Sequence, residues 1–293
     1  MRKATTKQGE ESSSSILNPQ PSIPSNGRRP IGVFDSGVGG LTVFREIARA
    51  LPYESLIYLG DSARVPYGTK SPETIVRYSL EAAQHLLARD IKMLVVACNT
   101  ATAAALPALI AKLNVPVIGV VEPGARAAVQ ATKGRVGVIA TEGTVKSKAY
   151  TNAIKAIDPS IQVIESAAPL FVPLAEEGWA HTHVAREVAE IYLAPLVDQG
   201  IDTLVLGCTH YPILRGTIEK VLGEKVAIVD SAETTARSVA AALDSDAVSA
   251  NGEERRERFS HAFLVTDAAD RFRRIAGDFL EREIEHLELV SLG

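Results

Sequence analysis

The two cysteines of this 293-residue chain, Cys98 and Cys208, are its best candidates for chemistry. Each closely follows a run of Val and Leu residues that is typical of a buried strand. A thiolate accepts a proton and a thiol donates one, and a helix N-terminus or a nearby cation favours the thiolate. One cysteine as base and the other as acid would take a proton from one face of a carbon and return one to the opposite face. This pair therefore predicts stereoinversion by two-base proton transfer.

Both cysteines also have a structural interpretation, because free cysteine is among the most buried residue types. A disulfide is not expected in a cytosolic protein of this size. In open parallel sheets, however, ligands bind beyond the carboxyl ends of the strands. Both cysteines of the chain occupy this position, which random placement would rarely produce. We therefore favour an acid–base pair over two core residues.

Other polar residues stand at the same strand ends. They are Asp35-Ser36, Asp61 and Asn99-Thr100 in the first half of the chain, and Thr141, Thr209-His210 and Asp230-Ser231 in the second. His210 follows Cys208 by two positions, so an extended segment would put both on one side. The structural alternatives are a helix cap or core histidine for His210, hydrogen bonds to the loop amides of Gly37 and Gly39 for Asp35, and a loop cap for Asp61.

The elements that must position these residues alternate between short β-rich runs and helical stretches. Strands are predicted over Ile31–Phe34, Leu56–Leu59, Met93–Ala97, Val115–Val121, Val136–Ile139, Ile161–Ile164, Thr203–Gly207 and Val226–Val229. Helices are predicted over Leu41–Ala50 and from Ser71-Pro72-Glu73, with Ser as N-cap and Pro at the first helical position. Uninterrupted Val/Ile/Leu strands alternating with helices predict an α/β protein whose parallel sheets are covered on both faces.

A short internal repeat suggests two homologous lobes. Ile31-Gly32-Val33 matches Val136-Gly137-Val138 at an offset of 105 positions, close to the 110 positions that separate the two cysteines. Each lobe would then supply one cysteine from the same structural position.

The loop Gly37-Val38-Gly39-Gly40, with the helix, strand and Asp61 that follow, is similar to a dinucleotide-binding fingerprint. The pattern fails at its third glycine, where Thr42 stands, and Asp35 just before the loop would repel a pyrophosphate. No lysine context indicates a Schiff base to pyridoxal phosphate, and neither cysteine has a second Cys or a paired His at zinc-ligand spacing. We therefore expect no cofactor and no metal.

The formal net charge of −4 excludes the basic footprint of a nucleic-acid-binding or polybasic membrane-binding protein. No segment approaches the roughly 18 apolar residues of a membrane span. Residues 1–29 are rich in Ser, Pro, Asn and Gln, and they lack the apolar region of a secretory signal. We interpret them as a disordered arm and expect a cytoplasmic protein.

Four motifs occur in order along the chain: Phe34-Asp35-Ser36-Gly37-Val38-Gly39-Gly40-Leu41, Pro66-Tyr67-Gly68, Ala97-Cys98-Asn99-Thr100-Ala101 and Gly207-Cys208-Thr209-His210-Tyr211-Pro212. The chain from about residue 29 onward resembles the glutamate racemases of the aspartate/glutamate racemase superfamily. The resemblance implies a cofactor-independent isomerase that interconverts L- and D-glutamate and supplies D-glutamate for peptidoglycan synthesis. It also implies two α/β lobes with the active site between them, and a homodimer.

The resemblance assigns Cys98 and Cys208 to proton transfer, with Asp35 and His210 helping to poise the two thiols. The substrate contacts that it implies are Asp35, Ser36, Tyr67, Gly68, Asn99, Thr100, Thr209 and His210. Asp61 would support them. Within Val172–Gly178, the functional carboxylate of the family aligns with Glu176, and its neighbour Glu177 is the other possible register.

We expect a first lobe made of residues 30–122 and 231–293 and a second lobe made of residues 123–230. Residues 1–29 would be a disordered or regulatory arm, since some family members with N-terminal extensions respond to peptidoglycan precursors. Two other functions stay open: the same chemistry on aspartate or another small acidic substrate, and a non-catalytic protein that binds a small molecule between its lobes.

Overall fold

A computed structural model of the chain describes residues 29–245 and 260–292. The predicted N-terminal arm, apart from Arg29, lies outside the described residues. Within the two described ranges, none of the helices combines the length and apolar character that a membrane crossing requires.

The described residues form ten strands, eleven α-helices and three short 3-10 helices, at Ser62–Arg64, Tyr67–Thr69 and Tyr211–Leu214. The strands are β1 (Ile31–Asp35), β2 (Leu56–Gly60), β3 (Met93–Val96), β4 (Val117–Gly119), β5 (Arg135–Ala140), β6 (Gln162–Ala167), β7 (Thr203–Gly207), β8 (Ala227–Asp230), β9 (His261–Val265) and β10 (Leu287–Leu289). The helices are α1 (Leu41–Ala50), α2 (Pro72–Leu87), α3 (Asn99–Lys112), α4 (Val121–Ala131), α5 (Glu142–Ser147), α6 (Ala149–Ile157), α7 (Phe171–Glu176), α8 (His183–Asp198), α9 (Arg215–Leu222), α10 (Ser231–Ser245) and α11 (Ala269–Leu280).

The strands form two sheets in which all paired neighbours are parallel. The first sheet has six strands in the order β10-β9-β2-β1-β3-β4, and the second has four in the order β6-β5-β7-β8. Every residue of β1, β3 and β7 is buried, as expected when helices cover both faces of a parallel sheet. The predicted α/β fold with two lobes of parallel sheet is confirmed.

Local sequence explains where the first helices begin. Helix α1 covers the predicted range, and α2 begins at Pro72 because the Ser71 side chain accepts a hydrogen bond from the Thr74 amide as its N-cap. Two strand predictions were wrong in length. β4 is shorter than predicted because Val121 already begins α4, and β6 extends beyond the predicted end to Ala167.

The internal repeat has a structural counterpart. β1 lies between β2 and β3, and β5 lies in the same way between β6 and β7. A Cβ added at Gly32 would lie 2.8 Å from Ile91 Cδ1, and one added at Gly137 would lie 2.8 Å from Ile201 Cδ1. The same close approach therefore recurs at the same point of both sheets. Since one cysteine follows β3 and the other follows β7, the two sheets present them from equivalent strands.

The chain returns to the first sheet after the second is complete. β9 pairs with β2 and β10 pairs with β9, so the six-stranded sheet contains segments from both ends of the described chain. The lobe boundaries at residues 122–123 and 230–231 stay a prediction.

Candidate active site

Asp35 ends β1 and is buried. Its Oδ2 accepts a hydrogen bond from the Gly37 amide at 2.9 Å, as expected for the structural alternative. Its Oδ1 has no hydrogen-bond partner in the described part of the chain. Burial raises the pKa of Asp35, although the loop amides and the charge of His210 oppose this increase. The site therefore presents one unmatched acceptor oxygen at the end of β1.

Cys98 lies between the end of β3 and the start of α3, and it is buried. Its Sγ lies 3.5 Å from Ser36 Oγ and accepts a hydrogen bond from the Ala101 amide at 3.4 Å, as the N-cap of α3. Burial and the negative charge of Asp35 raise the pKa of Cys98 to about 12, although the contact with Ser36 and the Ala101 amide lower it. The expected effect of the helix N-terminus is present but weaker than burial. Cys98 is therefore a thiol at neutral pH.

Cys208 follows β7 and is also buried. Its Sγ lies 3.9 Å from His210 Nδ1, and His210 Nε2 lies 3.1 Å from Glu176 Oε1. Burial alone would lower the pKa of His210, but hydrogen bonds with Cys208 and Glu176 outweigh it and raise this pKa to about 10. His210 is therefore a cation at neutral pH, and its ring lies beside the Cys208 sulfur.

Glu176 ends α7 and contacts both His210 and Arg271. Its Oε2 lies 2.9 Å from Nη2 of Arg271, at the start of α11. Although burial raises the pKa of Glu176, His210 and Arg271 outweigh it and lower this pKa. The neighbouring Glu177 lies 3.3 Å from Arg271 and is half exposed. In the described structure Glu176 is therefore the carboxylate beside His210, and Glu177 contacts Arg271.

Helix α1 of the first sheet meets the segment that carries Cys208. The buried hydroxyl of Thr42 lies 2.9 Å from the carbonyl oxygen of Thr209 and 3.0 Å from that of Gly39. A Cβ added at Gly39 would lie 2.4 Å from the His210 ring and from Thr209 Oγ1, so this approach requires glycine. Thr42, the residue that broke the dinucleotide pattern, thus links the two lobes at the site.

A second inter-lobe contact involves Thr100 and Gly68. Thr100 Oγ1 lies 2.9 Å from Thr141 Oγ1, and Thr141 is the N-cap of α5. A Cβ added at Gly68 would lie 3.1 Å from Thr141 Cβ. These predicted substrate-contact residues of the first lobe therefore lie against the start of a helix from the second.

Tyr67 and Asp61 form a buried cluster behind this turn. The Tyr67 hydroxyl donates to Asp61 Oδ2 at 2.6 Å, and Arg64 Nε donates to the same oxygen at 2.6 Å. The Thr266 hydroxyl donates to Asp61 Oδ1 at 3.0 Å. Both carboxylate oxygens of Asp61 are occupied by protein groups, which fits the supporting position expected for it.

Asn99 begins α3 beside Cys98 and is buried. Its Oδ1 accepts a hydrogen bond from the Tyr150 hydroxyl on α6 at 2.7 Å. Its Nδ2 has no hydrogen-bond partner among residues 29–245 and 260–292. The site thus contains an unmatched donor at Asn99 as well as the unmatched acceptor at Asp35.

The structure places Thr100, Thr209 and His210 at contacts between the two lobes, whereas Tyr67 and Asp61 contact each other within the first lobe. Sequence analysis missed three contributors. The position of Thr42 could have drawn attention in the sequence, because it replaces the third glycine of the nucleotide-binding pattern. Tyr150 and Arg271 lie in ordinary helices far along the chain and carry no local signal. Among the described residues, no group of three or more His, Cys, Asp or Glu side chains is arranged to hold a metal ion.

Comparison with known proteins agrees with this geometry. The family model for Asp/Glu/Hydantoin racemases matches residues 31–239. A glutamate racemase of Geobacter metallireducens is 56% identical over 268 residues, which cover 90% of this chain and 97% of the relative.

Two solved structures have the same fold. Glutamate racemase from Francisella tularensis, solved in complex with D-glutamate, has a TM-score of 0.82 and 39% identity, covering 91% of this chain and 98% of that one. Glutamate racemase from Escherichia coli, solved with L-glutamate and the activator UDP-MurNAc-ala, has a TM-score of 0.74 and 33% identity, covering 90% and 99%. By sequence and by fold, this chain belongs to the glutamate racemase family of isomerases.

Proposed function

We propose that this chain interconverts L- and D-glutamate, with Cys98 and Cys208 as the two proton-transfer groups. The observation that carries the proposal is the placement of the cysteines after equivalent strands of two sheets, each beside its own polar partner. The substrate is supported by the names of the relatives, two of which were solved with glutamate enantiomers.

The unmatched polar atoms support an amino acid as the ligand. Asp35 Oδ1 is a buried acceptor and Asn99 Nδ2 is a buried donor, and neither has a protein partner in the described residues. A buried polar group without a partner costs about 1–3 kcal/mol, which a complementary ligand recovers. The ammonium group of an amino acid donates hydrogen bonds and its carboxylate accepts them, so the two ends fit these two atoms. Ser36, Tyr67, Gly68, Thr100 and Thr209 would complete the contacts.

The proposed reaction needs no oxidant or reductant. In one direction the Cys208 thiolate, paired with the His210 cation, removes the proton from Cα, and the electron pair of the C–H bond stays on the substrate. The Cys98 thiol donates its proton to the opposite face of Cα and becomes a thiolate. In the other direction the two cysteines exchange roles.

The biological setting is part of the same proposal. D-glutamate made by this chain would serve peptidoglycan synthesis in the cytoplasm, and the enzyme would act as a homodimer. The activator bound to the Escherichia coli relative supports a peptidoglycan precursor as an effector.

Incubation with each glutamate enantiomer in D₂O tests the proposal. We expect deuterium at Cα and loss of optical rotation with the wild type, and no racemisation with Cys98→Ala or Cys208→Ala. With a substrate that bears a leaving group at Cβ, each single variant should still catalyse elimination from one enantiomer, and the two variants should act on opposite enantiomers.

Three outcomes would contradict parts of the proposal. A folded, reduced wild type that exchanges no Cα proton of glutamate would refute the function, and faster turnover of aspartate would change the substrate. Equal loss of elimination from both enantiomers in each cysteine variant would refute one base per face.

A further inference from the structure

Tyr150 is a fully buried side chain that the proposed reaction does not use. Its ring lies between two glycines, Gly124 of α4 and Gly207 at the end of β7. A Cβ added at Gly207 would lie 3.0 Å from Tyr150 Cε2, and one added at Gly124 would lie 3.2 Å from Cε1. The ring therefore packs against the backbone that directly precedes Cys208.

The hydroxyl of the same side chain reaches the segment that carries the other cysteine. It donates a hydrogen bond of 2.7 Å to Oδ1 of Asn99, the residue after Cys98. Burial raises the pKa of Tyr150 by more than the hydrogen bond with Ser231 lowers it, so the hydroxyl keeps its proton. Tyr150 thus contacts the backbone before one cysteine and the side chain after the other.

In the described structure this hydrogen bond occupies the oxygen end of the Asn99 amide. With Oδ1 occupied by the tyrosine hydroxyl, the NH₂ end is the one left without a partner in the described residues. An amide that could rotate by 180° would instead present its oxygen to a substrate carboxylate, and two acceptors would repel each other. A donor that must bind a carboxylate therefore needs a group that holds the oxygen.

We infer that Tyr150 is a positioning residue for the substrate: it holds the Asn99 amide so that Nδ2 faces the carboxylate of the bound amino acid. The inference rests on the proposed function. It adds a second-lobe residue, 51 positions from Asn99 in the chain, to the determinants of substrate affinity. Because the carboxylate is common to both enantiomers, the effect should be the same for L- and D-glutamate.

Tyr150→Phe removes the hydroxyl and keeps the ring between the two glycines. We expect the KM for both enantiomers to rise about 10-fold, the order of a lost hydrogen bond to a charged group, while kcat falls less than about 3-fold. Tyr211→Phe is the matched control. Tyr211 is as fully buried and its hydroxyl donates to the Ala168 carbonyl oxygen at 2.9 Å, so this variant loses a similar bond and should keep its KM.

A double-mutant cycle with Asn99→Ala tests whether Tyr150 acts through the amide. If it does, Tyr150→Phe should raise KM no further in the Asn99→Ala background. Additive increases in KM, or an unchanged KM in a folded Tyr150→Phe enzyme, would overturn the inference.

Binding separates this inference from the proposed reaction. In a Cys98→Ala/Cys208→Ala background, calorimetric titration with D-glutamate should give a Kd about 10-fold weaker when Tyr150→Phe is added. An unchanged Kd refutes the positioning role, whereas failure of the proposed reaction is seen separately as absence of Cα exchange in the wild type.

Discussion

Glu176→Gln tests how far the contact between Glu176 and His210 sets the charge beside Cys208. Glutamine has nearly the same size as glutamate and still offers an acceptor to His210 Nε2, but it carries no negative charge. Arg271, which lies 2.9 Å from Glu176 Oε2, would then add an unbalanced positive charge near the ring. Both changes lower the pKa of His210 from about 10 towards its ordinary value of 6.5.

The size of the effect follows from the protonated fraction of His210. At pH 8 a pKa of about 10 keeps about 99% of the imidazole protonated, whereas a pKa of 6.5 leaves about 3%. If proton removal by Cys208 requires the imidazolium, the rate at pH 8 falls by up to about 30-fold. The direction in which the pH–rate profile moves is also predicted. The cation is lost as pH rises through the pKa of His210, so the alkaline limb of the profile should move to lower pH in the variant.

The assay has to separate the two cysteines. Racemisation has an equilibrium constant of one, so kcat/KM must fall equally in both directions whatever the cause. Elimination from a substrate with a leaving group at Cβ is irreversible and reports one base at a time. We expect Glu176→Gln to slow elimination from the enantiomer that Cys98→Ala still processes, because that reaction uses Cys208, and to spare elimination from the other.

Glu177→Gln is the matched control. It removes the same negative charge from the neighbouring residue, whose side chain also contacts Arg271. It should keep its rate within about 2-fold and its pH profile unchanged, as expected for an exposed ion pair. The reasoning is refuted if Glu176→Gln keeps the wild-type alkaline limb, or if it slows elimination from both enantiomers equally.

Two further predictions concern packing across and within the lobes. Thr42→Val leaves the buried carbonyls of Gly39 and Thr209 without the hydroxyl. Denaturant titration should then show a free energy of unfolding lower by about 1–3 kcal/mol, and the racemisation rate should fall about 10-fold. Thr42→Ser keeps the hydroxyl and should keep both the stability and the rate. Lys92→Met removes a buried ammonium 2.5 Å from Glu54, and the free energy of unfolding should fall by about 3–5 kcal/mol. Arg89→Met, which breaks a more exposed pair with Glu288, should cost less than about 1 kcal/mol. Equal losses in the two salt-bridge variants would show that burial does not set the cost.

The strands and the position of the two cysteines could be predicted because local sequence determines both. A run such as Met93–Val96 has a strong strand preference, and the chain must leave the sheet where the run ends. Since parallel strands end at one edge, residues that follow different strands meet there. No knowledge of distant contacts was needed to place Cys98 and Cys208 each at the carboxyl edge of its own sheet.

The protonation of these residues could not be predicted in the same way, because it depends on distant parts of the chain. The N-cap position of Cys98 is visible in the sequence, and the Ala101 amide does lower its pKa. Burial and the charge of Asp35, which lies 63 positions earlier in the chain, raise this pKa by more than the amide lowers it. The choice between Glu176 and Glu177 has the same origin, since neighbouring helix positions point about 100° apart and only packing decides which one reaches His210.

Thr42 shows why a failed motif can be informative. The third glycine of a nucleotide-binding loop allows the helix to pack closely on the strand, and the chain has threonine there. In this fold the loop instead contacts the backbone of the other lobe. Gly39 leaves space for the His210 ring, and the Thr42 hydroxyl meets the Thr209 carbonyl. The glycine and the threonine are therefore both explained by one neighbour, the segment Cys208–His210, which the sequence motif alone does not contain. The departure from the nucleotide pattern thus supplies one hydrogen bond between the two cysteine-bearing lobes.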